Sequence, residues 1–176
     1  MRRRDVLFVC TSSVVGGCSK SEPQARRPAT TRPASTPPPR VSTVAPSDRL
    51  ELDEDAWRAR LDDQEYHVLR QAGTERAFTG DLYDEKRAGT YVCAGCGNPL
   101  YHSRDKYDSG TGWPSFTRPI EKGRIATETD RSFGMVRVEC HCARCGGHQG
   151  HIFDDGPPPT GKRHCINSVS LDFIPA

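Results

Sequence analysis

The spacing of apolar residues changes character once along this chain, near residue 73. From Asp53 to Leu61 the run Asp-Glu-Asp-Ala-Trp-Arg-Ala-Arg-Leu begins acidic and ends basic, the order a helix dipole favours. Trp57 and Leu61 lie four apart and share a helix face. Asp62 or Asp63 is placed to cap a second helix running to about Gln71, with Tyr66 and Leu69 turned inward and Gly73 as its stop. Beyond Gly73 the helical period disappears. Short runs rich in Val, Ile, Phe, Tyr and Thr alternate with clusters of Gly, Pro, Asn and Asp. They include Thr90-Tyr-Val-Cys93, Arg124-Ile-Ala-Thr-Glu-Thr129, Gly134-Met-Val-Arg-Val-Glu-Cys140 and Ile166-Asn-Ser-Val-Ser-Leu-Asp-Phe173. The pattern predicts two short helices followed by an antiparallel β domain over residues 48–176, with no internal repeat apart from two cysteine pairs.

The segment ahead of that domain has a different composition. Half of the fourteen prolines fall between Pro23 and Pro46, among Ser, Thr, Ala and Arg. Too little apolar surface is available there to offset the entropy of ordering, so residues 19–47 read as a disordered linker. Residues 1–18 combine a positive start (Arg2, Arg3, Arg4), a short apolar run from Val6 to Val15, and Gly16-Gly17-Cys18. The run is too short for a permanent membrane helix. The arrangement resembles a bacterial lipoprotein signal, in which cleavage leaves Cys18 as the lipid-bearing first residue. The plainer alternative is an unstructured terminus with a chance apolar patch. Arg3-Arg4 also resembles a twin-arginine export signal. The expectation is an extracytoplasmic domain, periplasmic or on the cell surface, tethered by lipid and a leash of roughly 30 residues.

Charge narrows the partners. The first 47 residues carry eight Lys/Arg against Asp5 and Glu22, so a chain of net charge +2 leaves its folded part at −4. A mildly acidic domain is unsuited to nucleic acid, which needs a basic surface.

Cys93-Ala-Gly-Cys96 and Cys142-Ala-Arg-Cys145 form two Cys-x-x-Cys knuckles, each followed by glycine (Gly97; Gly146 and Gly147). Glycine permits the tight turn that lets two thiolates grip one side of a tetrahedral ion. Four thiolates suit a single structural zinc ion. Between the pairs lie 45 residues, so an ion would staple a long loop. Two redox-active motifs, or two disulfides, are the competing interpretation.

Two further cysteines follow the signal region, Cys140 and Cys165. Lys162, Arg163 and His164 immediately precede Cys165, and positive neighbours favour the nucleophilic thiolate. His148 and His151 offer imidazoles for proton donation. The motifs Gly110-Thr-Gly-Trp113-Pro-Ser-Phe116, His148-Gln-Gly-His151-Ile-Phe153-Asp-Asp155-Gly-Pro157 and Arg163-His-Cys165-Ile-Asn167-Ser168 resemble those of the methionine-R-sulfoxide reductases of the B type, over roughly residues 53–174. The cysteine pairs are those of the zinc-bearing members.

The resemblance implies a mainly β fold with two antiparallel sheets, and repair of oxidised proteins by reduction of methionine sulfoxide. It implies Cys165 as the nucleophile, His148 and His151 as acid or water-ordering groups, and Arg163 as the stabiliser of the thiolate. Asn167 and Asp155 would orient the histidine–arginine network, and Trp113 and Phe153 would receive the substrate methyl. Attack would leave a sulfenic acid on Cys165. Many family members carry a resolving cysteine where this chain has Thr111. Regeneration then falls to an external dithiol of thioredoxin type, or to Cys140, which otherwise reads as a small buried residue. Three rival readings are a zinc-ribbon binding module, a disulfide-exchange protein and a redox sensor without turnover. The first leaves Cys165, the histidines and the Trp113 loop unused. Bound metal argues against the second and steady-state turnover against the third.

Overall fold

The computed structural model describes residues 49–176. The expected signal over 1–18, with Cys18, and the linker over 19–47 lie outside the described residues. Helix α1 (Glu54–Arg60) is capped by Asp53, whose side chain accepts the Ala56 N–H. Helix α2 (Asp63–Gln71) opens with a capping box, in which Asp62 and Glu65 each accept the other's backbone N–H. The stop of α2 differs from expectation. Ala72, not Gly73, takes the left-handed conformation, at φ 52°. Glycine is required at 73 for room, since a Cβ there would lie 2.4 Å from the His67 ring.

Nine strands follow: β1 (Gly89–Cys93), β2 (Pro99–His102), β3 (Lys106–Tyr107), β4 (Ser115–Phe116), β5 (Ile125–Asp130), β6 (Arg137–Cys142), β7 (His148–Phe153), β8 (Arg163–Ile166) and β9 (Leu171–Pro175). They form two antiparallel sheets, of order β2-β1-β9 and β3-β4-β8-β7-β6-β5. This is the mainly β, two-sheet architecture with two leading helices that the sequence predicts.

The run Ile166–Phe173 is not one strand. A 3-10 turn at Ser168–Ser170 breaks it, and the chain passes from the large sheet (β8) to the small one (β9). The Asn167 N–H goes to the Gln149 carbonyl, the Ser168 N–H to the Glu75 carboxylate, and the Ser170 hydroxyl to the Asn167 carbonyl. Short polar side chains thus offer the backbone partners other than a ladder.

The core lies between the sheets. Tyr101 of β2 stacks on Phe116 of β4 with centroids 4.3 Å apart, and Tyr91 of β1 meets Phe116 edge-on at 4.9 Å. The helices add Trp57, Leu61 and Leu69 to this cluster. Val68 is fully buried, whereas Tyr66 stays partly exposed beneath the Arg58 guanidinium, 4.2 Å from its centroid. Among the described residues no helix is long and apolar enough to cross a membrane.

Candidate active site and cysteine cluster

Strand register assembles the site. Ser115, Cys165, His151 and Glu139 are successive partners across β4, β8, β7 and β6. Side chains alternate along β8, so Arg163 and Cys165 share one face, and His164 and Ile166 the other. His164 is buried against the Tyr101 hydroxyl, 3.2 Å from its Nδ1, and burial pushes its pKa down to about 4. It is neutral at pH 7. Lys162 pairs with Asp154. Of the three basic neighbours in sequence, only Arg163 shares the face of the thiol.

Cys165 is partly exposed, whereas Cys93, Cys96, Cys140, Cys142 and Cys145 are buried. Burial pushes the Cys165 thiol above its ordinary range; the Arg163 charge and a hydrogen bond with Thr111 oppose this without cancelling it. The sequence expectation of a thiol lowered by positive neighbours is thus corrected by desolvation, which disfavours a thiolate in a half-closed site. Arg163 is itself fixed. Its Nε and one terminal nitrogen each donate to Asp155 at 2.8 Å, and the guanidinium lies 4.4 Å from the Phe153 ring centroid. That hydrogen bonding holds the Asp155 carboxyl below its usual range.

The histidines share a face because β7 is irregular. Cys140 pairs with Gly150, but His141 pairs with His148, leaving Gln149 without a partner residue on β6. This bulge turns the Gln149 side chain away, toward the Cys93 sulfur at 3.5 Å, and brings the His148 and His151 rings to 5.6 Å. His148 Nδ1 bonds the Glu139 carboxylate, and its Nε2 is buried without a hydrogen-bond partner. Burial lowers the His148 pKa, and Glu139 opposes that. His151 Nε2 lies 2.9 Å from Asp130, which also accepts from Arg137 at 3.0 Å. Hydrogen bonds from Ser132, His151 and Arg137 hold the Asp130 carboxyl well below the usual range.

Asn167 does not touch the histidine rings. Its amide donates to the Gln149 carbonyl at 3.1 Å and its oxygen accepts the Glu75 N–H at 3.1 Å, so it acts on β7 through the backbone. The buried Glu75 carboxylate accepts the N–H groups of Ser168 and Val169 at 2.6 and 3.0 Å, and its carbonyl accepts the Trp113 indole N–H at 3.2 Å. Cys140 is fully buried in the core beside Ile166, on the face opposite Cys165. Burial raises its thiol further.

Sequence reasoning missed Glu75, Asp130 and Glu139. Alternation in Arg137-Val-Glu-Cys140 marks Glu139 as sharing a face with Arg137. Only register shows that a histidine stands beside it.

Cys93, Cys96, Cys142 and Cys145 are buried with their sulfurs within 4.8 Å of one another. Cys93–Cys145 and Cys96–Cys142 sulfur distances are 3.7 and 3.5 Å. A tetrahedral ion with bonds of about 2.3 Å needs sulfurs about 3.8 Å apart, so the donor set fits one metal ion. Gly97 (φ 72°) and Gly146 (φ 69°) let each knuckle close on its first cysteine carbonyl, at 2.7 and 2.8 Å. Arg60, Arg70 and Arg144 donate to the Gly95, Cys145 and Cys96 carbonyls at 2.6, 3.0 and 2.8 Å. The two helices therefore brace the cluster.

The SelR domain family matches residues 61–175. The peptide methionine sulfoxide reductase MsrB of Hahella chejuensis is 54% identical over 126 residues, covering 72% of this chain and 91% of its own length. The protein of that name from Pseudomonas putida is 58% identical over 119 residues, with 68% and 90% covered, and that from Methanosarcina barkeri 54% over 124, with 70% and 87%. With a family match over most of the chain and relatives covered almost end to end, the chain belongs to the SelR-domain family, that of the B-type peptide methionine sulfoxide reductases.

Proposed function

We propose that this domain reduces methionine-R-sulfoxide in proteins to methionine, with Cys165 as nucleophile, and is returned to its thiol form by a thioredoxin-type dithiol. As a family member it is an oxidoreductase of the peptide-methionine (R)-S-oxide reductase class. The observation that carries the mechanism is the partly exposed Cys165, which shares a face with Arg163 and stands across the sheet from His151.

The Cys165 sulfur attacks the sulfoxide sulfur to form an S–S bond; that bond and the substrate S–O bond then break as the protonated oxygen passes to Cys165. The departing oxygen must gain a proton, which the thiol and the imidazoles of His148 and His151 supply between them. The products are methionine and a Cys165 sulfenic acid; the oxygen has passed from substrate to enzyme. One thiol of the dithiol then displaces the sulfenic oxygen as water, and the second thiol releases Cys165 as the donor becomes a disulfide. Arg163 favours the negatively charged sulfur on either side of the attack. Trp113 and Phe153 form the apolar wall for the substrate methyl, which selects one epimer.

Cys93, Cys96, Cys142 and Cys145 hold one zinc ion in this reading. Bound there, zinc closes its shell with four thiolates and serves structure, not turnover. Its site lies on the core side of β7, joined to the catalytic face by Gln149. The Cys18 lipid tether and extracytoplasmic location complete the proposal; incorporation of labelled palmitate, lost in Cys18→Ala, tests them.

The decisive assay gives residues 48–176 a small dithiol and the separated R and S epimers of N-blocked methionine sulfoxide. Turnover of the R epimer alone, abolished in Cys165→Ser, is expected. A folded, metal-loaded protein that turns over neither epimer overturns the proposal in favour of a zinc-ribbon binding module.

A further inference from the structure

Beside Trp113 lies a cavity of about 220 Å³, in which Tyr83, Tyr107 and Trp113 stand among charged residues of both signs, Asp84, Lys86 and Lys106 among them. Tyr107 pairs with Ser115, which pairs with Cys165. Two strand spacings of about 4.8 Å separate the Tyr107 backbone from the nucleophile's, a span that two or three extended residues bridge. The Tyr107 hydroxyl is buried and has no hydrogen-bond partner. By register this residue shares the face of Cys165, so the Tyr107 ring spans from the cavity wall toward the site.

At the edge of this cavity stands Phe78. It is 62% exposed, the ring meets Tyr83 edge-on at 5.4 Å, and its backbone takes the left-handed conformation at φ 65°. Bulky side chains avoid that region, at about 1–3 kcal/mol. The conformation is nevertheless clamped. The Phe78 N–H donates to the Gly112 carbonyl at 2.8 Å, and a Cβ on Gly112 would lie 2.7 Å from the Phe78 ring. The chain thus fixes an aromatic ring in water, against the loop that carries Trp113, where it gains little from burial.

We infer that this aromatic rim and cavity dock the polypeptide flanking the oxidised methionine, with a neighbouring side chain of the substrate entering between Tyr83 and Tyr107. The inference rests on the proposed reduction of methionine sulfoxide in proteins. Continuity with Trp113 selects the substrate chain as occupant over a reductant, because a chain that delivers its methionine to Cys165 must leave the site along one of the walls that Trp113 forms. A rigid exposed aromatic beside a pocket is the kind of group that dominates protein recognition.

The test compares two substrates on the full chain with a small dithiol: N-blocked methionine-R-sulfoxide, and a synthetic undecapeptide with a central methionine-R-sulfoxide. Phe78→Gly removes the ring and suits the left-handed backbone, so folding is preserved. The expected result is a KM for the peptide raised about tenfold, equivalent to ~1.4 kcal/mol, with the blocked amino acid unaffected. Tyr83→Ser should act in the same direction, and Phe78→Trp should restore peptide affinity. Equal losses on both substrates, or no loss on either, overturn the inference. So does an effect confined to assays driven by a protein reductant, which would give the surface to that partner. Failure of the unaltered protein on the blocked amino acid is a separate result, and overturns the reductase reading itself.

Discussion

His148 and His151 are three residues apart on one strand, yet their rings meet at 5.6 Å on the same face of the sheet. A regular strand would send them to opposite faces. The extra residue Gln149 makes the difference, and Gly150 makes the extra residue possible. A Cβ at 150 would stand 2.0 Å from the Cys165 carbonyl oxygen. Gly150→Ala must therefore push β7 away from β8. A loss of about 1–3 kcal/mol in folding stability is expected from overpacking, with a larger fractional fall in activity because the histidines and Cys165 are carried on the separated strands. Denaturant midpoints measured beside kcat/KM check both.

Glu139 anchors His148 Nδ1 and opposes the effect of burial on that imidazole. In Glu139→Gln the hydrogen-bond acceptor survives but the charge does not. The His148 pKa then falls further below its ordinary value. A group that donates a proton loses activity as pH rises through its pKa, so the alkaline limb of kcat/KM should move to lower pH. The loss at neutral pH should lie within the roughly 10²–10⁴-fold range of general acid catalysis. A profile superimposable on that of the unaltered protein would remove His148 from proton transfer.

The elements that local pattern determines were legible in the sequence, and those that register determines were not. Asp62 announces the second helix because a cap is a local hydrogen bond, and the acidic start at Asp53 marks the first. The cysteine knuckles announce themselves because their glycines and two-residue spacing are local as well. Glu75, Asp130 and Glu139 look like solvent-facing carboxylates until the chain is folded, since partners of their carboxylates lie 93, 21 and 9 residues away. The sign of the Cys165 shift was equally hidden. Arg163 is adjacent in sequence, but the burial that outweighs it is supplied by strands distant in sequence.

Arg163 makes two parallel hydrogen bonds to Asp155 and lies over Phe153. A lysine reproduces the charge but neither the fork nor the stacking. Arg163→Lys should leave the Cys165 thiol higher still, because one of the effects opposing burial is weakened. The rate of alkylation by iodoacetamide at pH 7 should fall by roughly three- to tenfold, with the whole pH–rate curve moved upward. Unchanged alkylation would show that Arg163 serves only to hold Asp155 and Phe153.

The cysteine cluster ties β1 to β6, and arginines from both helices bond its knuckle carbonyls. Cys142→Ser should lose the metal and destabilise the helices together with the sheets. Binding free energies of about 10–16 kcal/mol for structural zinc in small peptides indicate how large the loss can be. Metal content by elemental analysis, with thermal unfolding followed by circular dichroism, measures it. A strong chelator applied to the unaltered protein should reproduce the effect. A metal-free protein that unfolds at the same temperature would overturn a structural role.

Thr111 stands where the family resemblance implies a resolving thiol in many members; its hydroxyl bonds the Ser109 hydroxyl at 2.8 Å and lies near enough to Cys165 to oppose the effect of burial on that thiol. Cys140, the other free thiol outside the metal cluster among the described residues, lies in the core on the far face of β8. The first turnover without reductant should therefore leave a sulfenic acid on Cys165, trapped by dimedone as a mass increase on the peptide containing it. Cys140→Ser should behave identically and keep full turnover with a dithiol. Thr111→Cys places a thiol near Cys165. It should convert the same single turnover into a disulfide between the introduced thiol and Cys165, with two free thiols lost per methionine formed and dimedone labelling abolished. A disulfide to Cys140 in the unaltered protein would instead require β8 to turn its faces over, and finding one would overturn this account of regeneration.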